Sequence, residues 1–271
     1  MAELEKQWLE VRGAMLLAAR LLSSFGFTGR TLTANNVVIP IAYYLYQREA
    51  TSSYLTSTAT TGDRAAIRIW VLRSLVKRGI WGSGSDTLLM RLRDVLRRNP
   101  LSNGWPTDAI ESAMGRAGKT LTFTAAEISE LAELQYGSAR TFAVLALLYP
   151  GLNLSQQFHE DHIFPRARFT SARLKRQGIA EDQQAAFMDA VNGLPNLQLL
   201  QGPINVAKKD AWPWDWVESD AFVSDAAREH YRVQNDLDLM PSTLSTFLEF
   251  YAARRARLEQ RLRTLLDVPE V

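Results

Sequence analysis

The sequence has no cysteine among its 271 residues. Disulfides, thiolate zinc sites, iron–sulfur clusters and a cysteine nucleophile are therefore excluded, and the composition suits a reducing cytoplasm. Long apolar runs are lacking too. The longest, Val37 to Tyr46, has ten residues and contains Pro40, too short to span a bilayer, so no membrane partner is expected. The opening MAELEKQWLE is charged and amphipathic, unlike a secretory signal. Histidine is scarce, with three in all. There is no glycine-rich phosphate loop, internal repeat or low-complexity tract. The rest is ordinary for a globular chain, with 46% hydrophobic and 22% charged residues. That is enough for one large or two small domains with a sizeable core.

Net charge is only +2, but it is unevenly spread. Arg64 to Arg98 holds nine Lys/Arg against two Asp/Glu, whereas residues 218–271 hold seven against ten. A basic block of this kind is either a footprint for a polyanion or a solvated helix face.

The periodicity predicts a mainly α fold. Leu4, Trp8, Val11, Met15 and Leu22 recur at helical spacing, so they are expected to face inward. A second helix is expected from near Thr33 to about Arg48, with Pro40 as a kink or break. Thr51 to Asp63 reads as a loop. Asp63 then caps a helix that carries Ile67, Trp70, Val71 and Leu75 inward and Arg64, Arg68, Arg73 and Lys77 outward. After a turn at Gly79–Ser85, Leu88, Leu89, Leu92, Val95 and Leu96 mark one side of another helix, ringed by Arg91, Arg93, Arg97 and Arg98 and stopped at Asn99-Pro100. Thr124 and Glu127 have capping-box spacing. Thr141 to Leu148 is apolar nearly all round, which predicts burial. Pro241 is expected to open a long last helix with Leu244, Phe247, Leu248, Tyr251, Leu258 and Leu262 on its core side.

Composition shifts after Pro150. Residues 151–216 hold two of the three histidines and three of the seven tryptophans, which suggests a helical domain over 1–150, an irregular module over 151–216 and C-terminal helices over 217–271. The chemistry concentrates in that module. In FHEDHIFPR, Asp161 and His162 set a hard oxygen ligand beside a base that titrates near neutral pH. A strand-like His162–Phe164 ended by Pro165 would expose the imidazole at a turn. The plainer alternative is a hydrogen-bonded loop histidine beside a turn aspartate. Downstream, NGLPNLQLLQGPINVAKKD gives Asn196, an apolar strand from Leu197 to Leu200, a turn at Gly202-Pro203, and Asn205 and Lys208 on a short helix. Asp161 and Asn205 together would make a sparse oxygen site, suited to Mg²⁺ or Mn²⁺ rather than Zn²⁺.

Asp161-His162, Asn196 and Asn205, with nine residues from Asn to Asn and Lys208 beyond, resemble the ββα-metal motif of HNH endonucleases. DHIFPR followed by NLQLLQGPIN and KKD is more specifically similar to the nuclease region that closes GmrSD-type and phosphorothioate-sensing restriction enzymes. The sharp motifs lie between His159 and Asp210, and the helical stretch before them matches only in order. Two departures stand out. Between His162 and Asn196 lie 33 residues, far more than the compact motif has, so a helical insertion is expected there. The DGQQR nucleotide-handling motif of those enzymes is absent. The chain is therefore expected to be a C-terminal part or a standalone nuclease subunit, without NTP hydrolysis, whose N-terminal nucleotidase-like sensor domain would be a separate partner.

The resemblance implies a metal-dependent endonuclease acting on double-stranded DNA in restriction or phage defence. His162 would be the general base. Asp161 and Asn205 would hold one Mg²⁺ or Mn²⁺ ion, Asn196 would brace the loop that carries the base, and Lys208 would face the phosphate. Arg166, Arg168 and Lys209 would grip the backbone near the cut, with Arg91, Arg97 and Arg98 as further nucleic-acid contacts. One site makes one nick, so a double-strand break needs two chains or two visits, and a homodimer is one such route. His159 is open between an extra ligand and a structural role. His230 is expected at the surface. The tryptophans of AWPWDW either stack on bases or pack a domain junction. A catalytically inactive DNA-binding or protein-interaction helical module is the alternative.

Overall fold

The computed structural model describes residues 2–99, 104–238 and 240–269, with side chains from residue 7 onward. Among these residues the chain is mainly helical with one two-stranded sheet, and no helix is long and apolar enough to cross a membrane. It packs as two compact units, one of Met1–Thr122 with Asn153–Gln156 and one of Phe123–Leu152 with Gln157–Val271. The division expected at Pro150 therefore falls elsewhere. The helix over Thr141–Leu148 belongs to the second unit, as do the C-terminal helices.

The first unit holds α1 (Ala2–Ser24), α2 (Val38–Gln47), α3 (Thr61–Val76), α4 (Ser85–Arg98) and α5 (Thr107–Arg116). The inward face of α1 is Ala14, Leu17, Ala18, Leu21 and Leu22, while Trp8 is 67% exposed and Val11 and Met15 also face outward. The expected stripe is thus displaced around the helix. Pro40 does not break α2. It lies in the first turn, where its missing N–H has no intrahelical partner to lose. The Thr51–Asp63 stretch is not wholly loop, because it contains 3₁₀ turns at Ser52–Leu55 and Thr58–Thr60 before α3 begins at Thr61.

Asp63 is not the cap of α3, since Thr60 precedes the helix. Instead its carboxylate accepts from Tyr44 Oη (2.7 Å), Tyr54 Oη (2.6 Å) and the Trp105 amide (2.5 Å). Two of the outward arginines of α3, Arg64 and Arg73, are also committed. Arg64 donates to the Tyr54 and Ser57 carbonyls, and Arg73 to Glu111 at 2.7 Å and the Leu121 carbonyl. This half of the basic block is therefore a set of staples between segments. On α4, Leu88, Leu92 and Leu96 are buried as the spacing predicts, while Leu89 and Val95 are only half-buried. Asn99 caps that helix, and Pro100 lies outside the described residues.

The second unit holds α6 (Ala125–Ala132), α7 (Thr141–Leu148), β1 (Phe158–His162), α8 (Ser171–Arg176), α9 (Glu181–Ala190), β2 (Leu197–Gln201), α10 (Gly202–Lys208), α11 (Pro213–Val217), α12 (Asp225–Gln234) and α13 (Phe247–Leu265). Thr124 and Glu127 form the capping box of α6, and every residue of α7 is buried. The strands β1 and β2 are antiparallel, with Asp161 opposite Gln198 and His162 opposite Leu197. The expected insertion between them is helical, formed by α8 and α9.

The last helix starts at Phe247, after a 3₁₀ turn at Leu244–Thr246, rather than at Pro241. Its core side includes Phe250 and Arg254. Phe164, just past β1, meets Phe247 and Phe250 with ring centroids 5.0 and 5.2 Å apart. Ile163, Phe169, Phe187 and Leu244 belong to the same cluster. Burying such side chains contributes roughly 1.5–3 kcal/mol each, so the turn that follows His162 is anchored in the core.

Candidate functional site

The hairpin β1–β2 runs directly into α10, with Gly202 and Pro203 as that helix's first turn rather than a separate turn. Proline suits this position because its fixed φ and missing N–H cost a helix start nothing. The order strand, strand, helix thus carries Asp161 and His162 on its first element, Asn196 just before the second, and Asn205 and Lys208 on the third.

β1 ends at His162, so Ile163 and Phe164 belong to the buried turn rather than to a strand. Adjacent strand residues point to opposite faces. The His162 ring faces Tyr136, at a centroid distance of 4.6 Å, and its Nε2 lies 3.1 Å from Asn192 Oδ1. Both partners are held by main chain. The Tyr136 amide donates to the Asn192 carbonyl and the Leu194 amide to the Leu134 carbonyl, each at 2.7 Å, around a bridge between Gln135 and Gly193. An amide oxygen only accepts, so Nε2 carries the ring proton in the neutral form. The imidazole is half-buried rather than exposed. Burial pushes its pKa below the usual 6.5, against the opposing pull of Asn192 and Asp161 and with the help of Lys208 and Arg166.

Asp161 turns the other way and is 9% exposed. Its Oδ2 accepts from Gln198 Nε2 at 2.8 Å and pairs with Lys208 Nζ at 3.0 Å. Tyr231 Oη donates to Gln198 Oε1 at 2.8 Å, which fixes the amide's orientation. Lys208 is neither solvated nor projecting outward. It is 2% exposed, and its Nζ also donates to the His162 carbonyl at 2.6 Å. One ammonium therefore ties the carboxylate to the backbone of the neighbouring histidine. Asn205 sits one turn earlier on α10 and is half-buried.

Asn196 is completely buried. Its Oδ1 accepts from the Phe164 amide at 2.9 Å, and its Nδ2 donates to the carbonyls of Phe164 (3.0 Å) and Val191 (2.7 Å). Its own carbonyl accepts from the Ile163 amide at 2.8 Å. These bonds clamp the two residues that follow His162. Arg254 braces the same segment from α13. It is 2% exposed and donates to the carbonyls of Pro195 (2.6 Å) and Leu197 (3.0 Å), to that of Asn235 and to Tyr149 Oη.

The cations expected on nucleic acid belong to both units. Arg166 and Lys209 are exposed. Arg168 donates to the Asp210 carbonyl at 2.6 Å and lies 4.9 Å from the Trp212 ring centroid. In the first unit, Arg91 and Arg98 line one groove with Arg116, whereas Arg97 lines another with Glu10 and Glu49. Trp212 and Trp216 are buried packing residues. His230 is exposed.

Among the described residues no group of three or more His, Asp or Glu side chains gathers as a metal site. The available donors are Asp161 Oδ1, which makes no hydrogen bond among those residues, and the Asn205 amide. Magnesium is commonly held by one or two carboxylates with waters and substrate phosphate, so this donor chemistry fits Mg²⁺ or Mn²⁺ arriving with a phosphodiester. The residues that sequence reasoning missed are Asn192, Tyr136, Gln198, Tyr231 and Arg254. Only Asn192 carries a local signal, lying four residues before Asn196 in the same motif. No protein-family model and no curated protein matches the sequence.

Proposed function

We propose that the chain is a metal-dependent DNA endonuclease of the HNH kind, serving a restriction or phage-defence system as the C-terminal part of a GmrSD-like protein. The observation that carries this reading is the hairpin running into α10, with His162 at the end of β1 and Asn196 clamping the turn behind it. His162, neutral at pH 7 with its proton on Nε2, has its lone pair on Nδ1. That nitrogen takes a proton from water as the water oxygen attacks phosphorus and the P–O3′ bond opens. A positioned base of this type contributes roughly 10²- to 10⁴-fold. Asn192 and Tyr136 orient the ring, and Asn196 keeps its strand end in place. Asp161 and Asn205 would hold the divalent ion, which supplies charge stabilisation at the phosphate and leaving oxygen. Lys208 orients Asp161 and adds positive charge beside it.

The test is nicking of supercoiled plasmid with Mg²⁺ or Mn²⁺, with EDTA and His162→Ala as controls. Metal-dependent nicking that disappears in His162→Ala is expected, and nicking that survives the substitution would sink the assignment of the base. The Lys208–Asp161 ion pair favours one second reading, an inactive DNA-binding module whose carboxylate is already neutralised by an internal cation. Duplex binding with neither metal binding nor cleavage would select that reading.

A further inference from the structure

Beside the proposed site, Arg168, Arg173, Arg176, Gln177, Asp210 and Trp212 line a cleft of about 280 Å³. We infer that this cleft is a binding subsite for a backbone phosphate of the DNA strand flanking the reacting phosphodiester, an inference that rests on the nuclease reading for its substrate. Three guanidinium groups converge there against one carboxylate, Asp210, whose Oδ2 lies 3.5 Å from Arg168. Crowding like charges is unfavourable unless an anion neutralises them.

The arginines are also preorganised. Arg173 donates to the Ala167 carbonyl at 2.6 Å and Arg176 to the Ala172 carbonyl at 3.3 Å. A guanidinium has five donors, so each retains N–H groups for a ligand, in the fork geometry that suits phosphate oxygens. Buried Trp212 forms an apolar wall, which strengthens charge interactions beside it. The volume is at the lower end for ligand pockets and leaves ample room for a phosphate group.

Position supports the strand assignment. Arg168 follows His162 by six residues, a reach of at most about 20 Å. A duplex strand rises about 3.4 Å per nucleotide, so the cleft lies within about six nucleotides of the reacting phosphate. The Arg168–Asp210 bond ties the segment after the base to the segment after α10, which fixes the cleft to the site.

Binding of a fluorescein-labelled 20-base-pair duplex, followed by anisotropy against salt in a His162→Ala background with Mg²⁺, tests this. Arg173→Glu or Arg176→Glu should weaken binding by about tenfold and lower the salt slope by about one. Lys175→Glu makes the same charge change on the same helix outside the cleft and should cost no more than about twofold. Equal losses at all three positions would mean general electrostatics and overturn the subsite, as would a wild-type chain that does not bind duplex. The expected binding pattern with no plasmid nicking by the unsubstituted chain would sink the nuclease reading and leave the phosphate subsite standing.

Discussion

At the scale of the residue, the chemistry of the site is set by what each polar group is paired with. His162 is the clearest case. Its folded pKa lies below the usual 6.5 because burial disfavours the imidazolium. A base must be neutral, so cleavage should hold steady above pH 6.5 and fall only as pH drops towards the lowered value. A kcat–pH profile with an acid limb above 6.5 would contradict this. The same shift has a stability consequence. The unfolded chain binds the proton more readily, so stability is fully present above pH 6.5 and is lost as pH falls towards the folded pKa. Lys208 makes an equally specific claim. A solvated lysine could be removed at little cost, but this one neutralises a buried carboxylate. Lys208→Ala should therefore lower unfolding stability by roughly 3 kcal/mol or more, measurable by urea titration. A change under about 0.5 kcal/mol would mean that the lysine is a surface residue after all.

At the scale of the element, the hairpin's geometry depends on braces contributed from elsewhere in the chain. Arg254 lies on the core side of α13, where helical periodicity calls for an apolar residue. Its guanidinium instead satisfies the carbonyls on either side of Asn196. Arg254→Leu would preserve bulk yet strand those acceptors, at about 1–3 kcal/mol for each buried group left unpaired. Both thermal stability and nicking should fall, and loss of neither would remove Arg254 as a brace. The turn between α9 and β2 has a similar constraint. A Cβ at Gly193 would lie 2.0 Å from Tyr251 Oη and 2.9 Å from its ring. Gly193→Ala should therefore destabilise the fold, and adding Tyr251→Ala should recover part of that loss. Additive losses in the double variant would argue that the bridge to Gln135, and not Tyr251, sets the need for glycine.

At the scale of the whole molecule, the two compact units put their cations to different uses. In the first, α3 spends Arg64 and Arg73 on contacts within the unit. Arg73→Ala is expected to cost about 1–2 kcal/mol of stability and to leave duplex affinity unchanged. A selective loss of affinity would restore that helix as a nucleic-acid surface. In the second, arginines line an exposed cleft beside the hairpin. Charge counting along the sequence left Arg64–Arg98 open between a polyanion footprint and a solvated helix face, because it registers the number of cations and not whether carbonyls and carboxylates already occupy them.

The sequence by itself determined the mainly helical class, the capping box at Thr124 and Glu127, the buried helix at Thr141–Leu148, and the order of the motif from Asp161 through Lys208. All of these are local, because side-chain periodicity and capping chemistry operate within a few residues. Only the tertiary structure decided that Lys208 pairs with Asp161, that Tyr136 and Asn192 hold His162, and that Arg254 supports the Asn196 turn. These partners lie 26 residues apart for Tyr136 and His162, 30 for Asn192 and His162, 47 for Lys208 and Asp161, and 58 for Arg254 and Asn196. Their pairing follows from how helices and strands converge, and a buried polar group takes whichever complementary partner that convergence brings within reach.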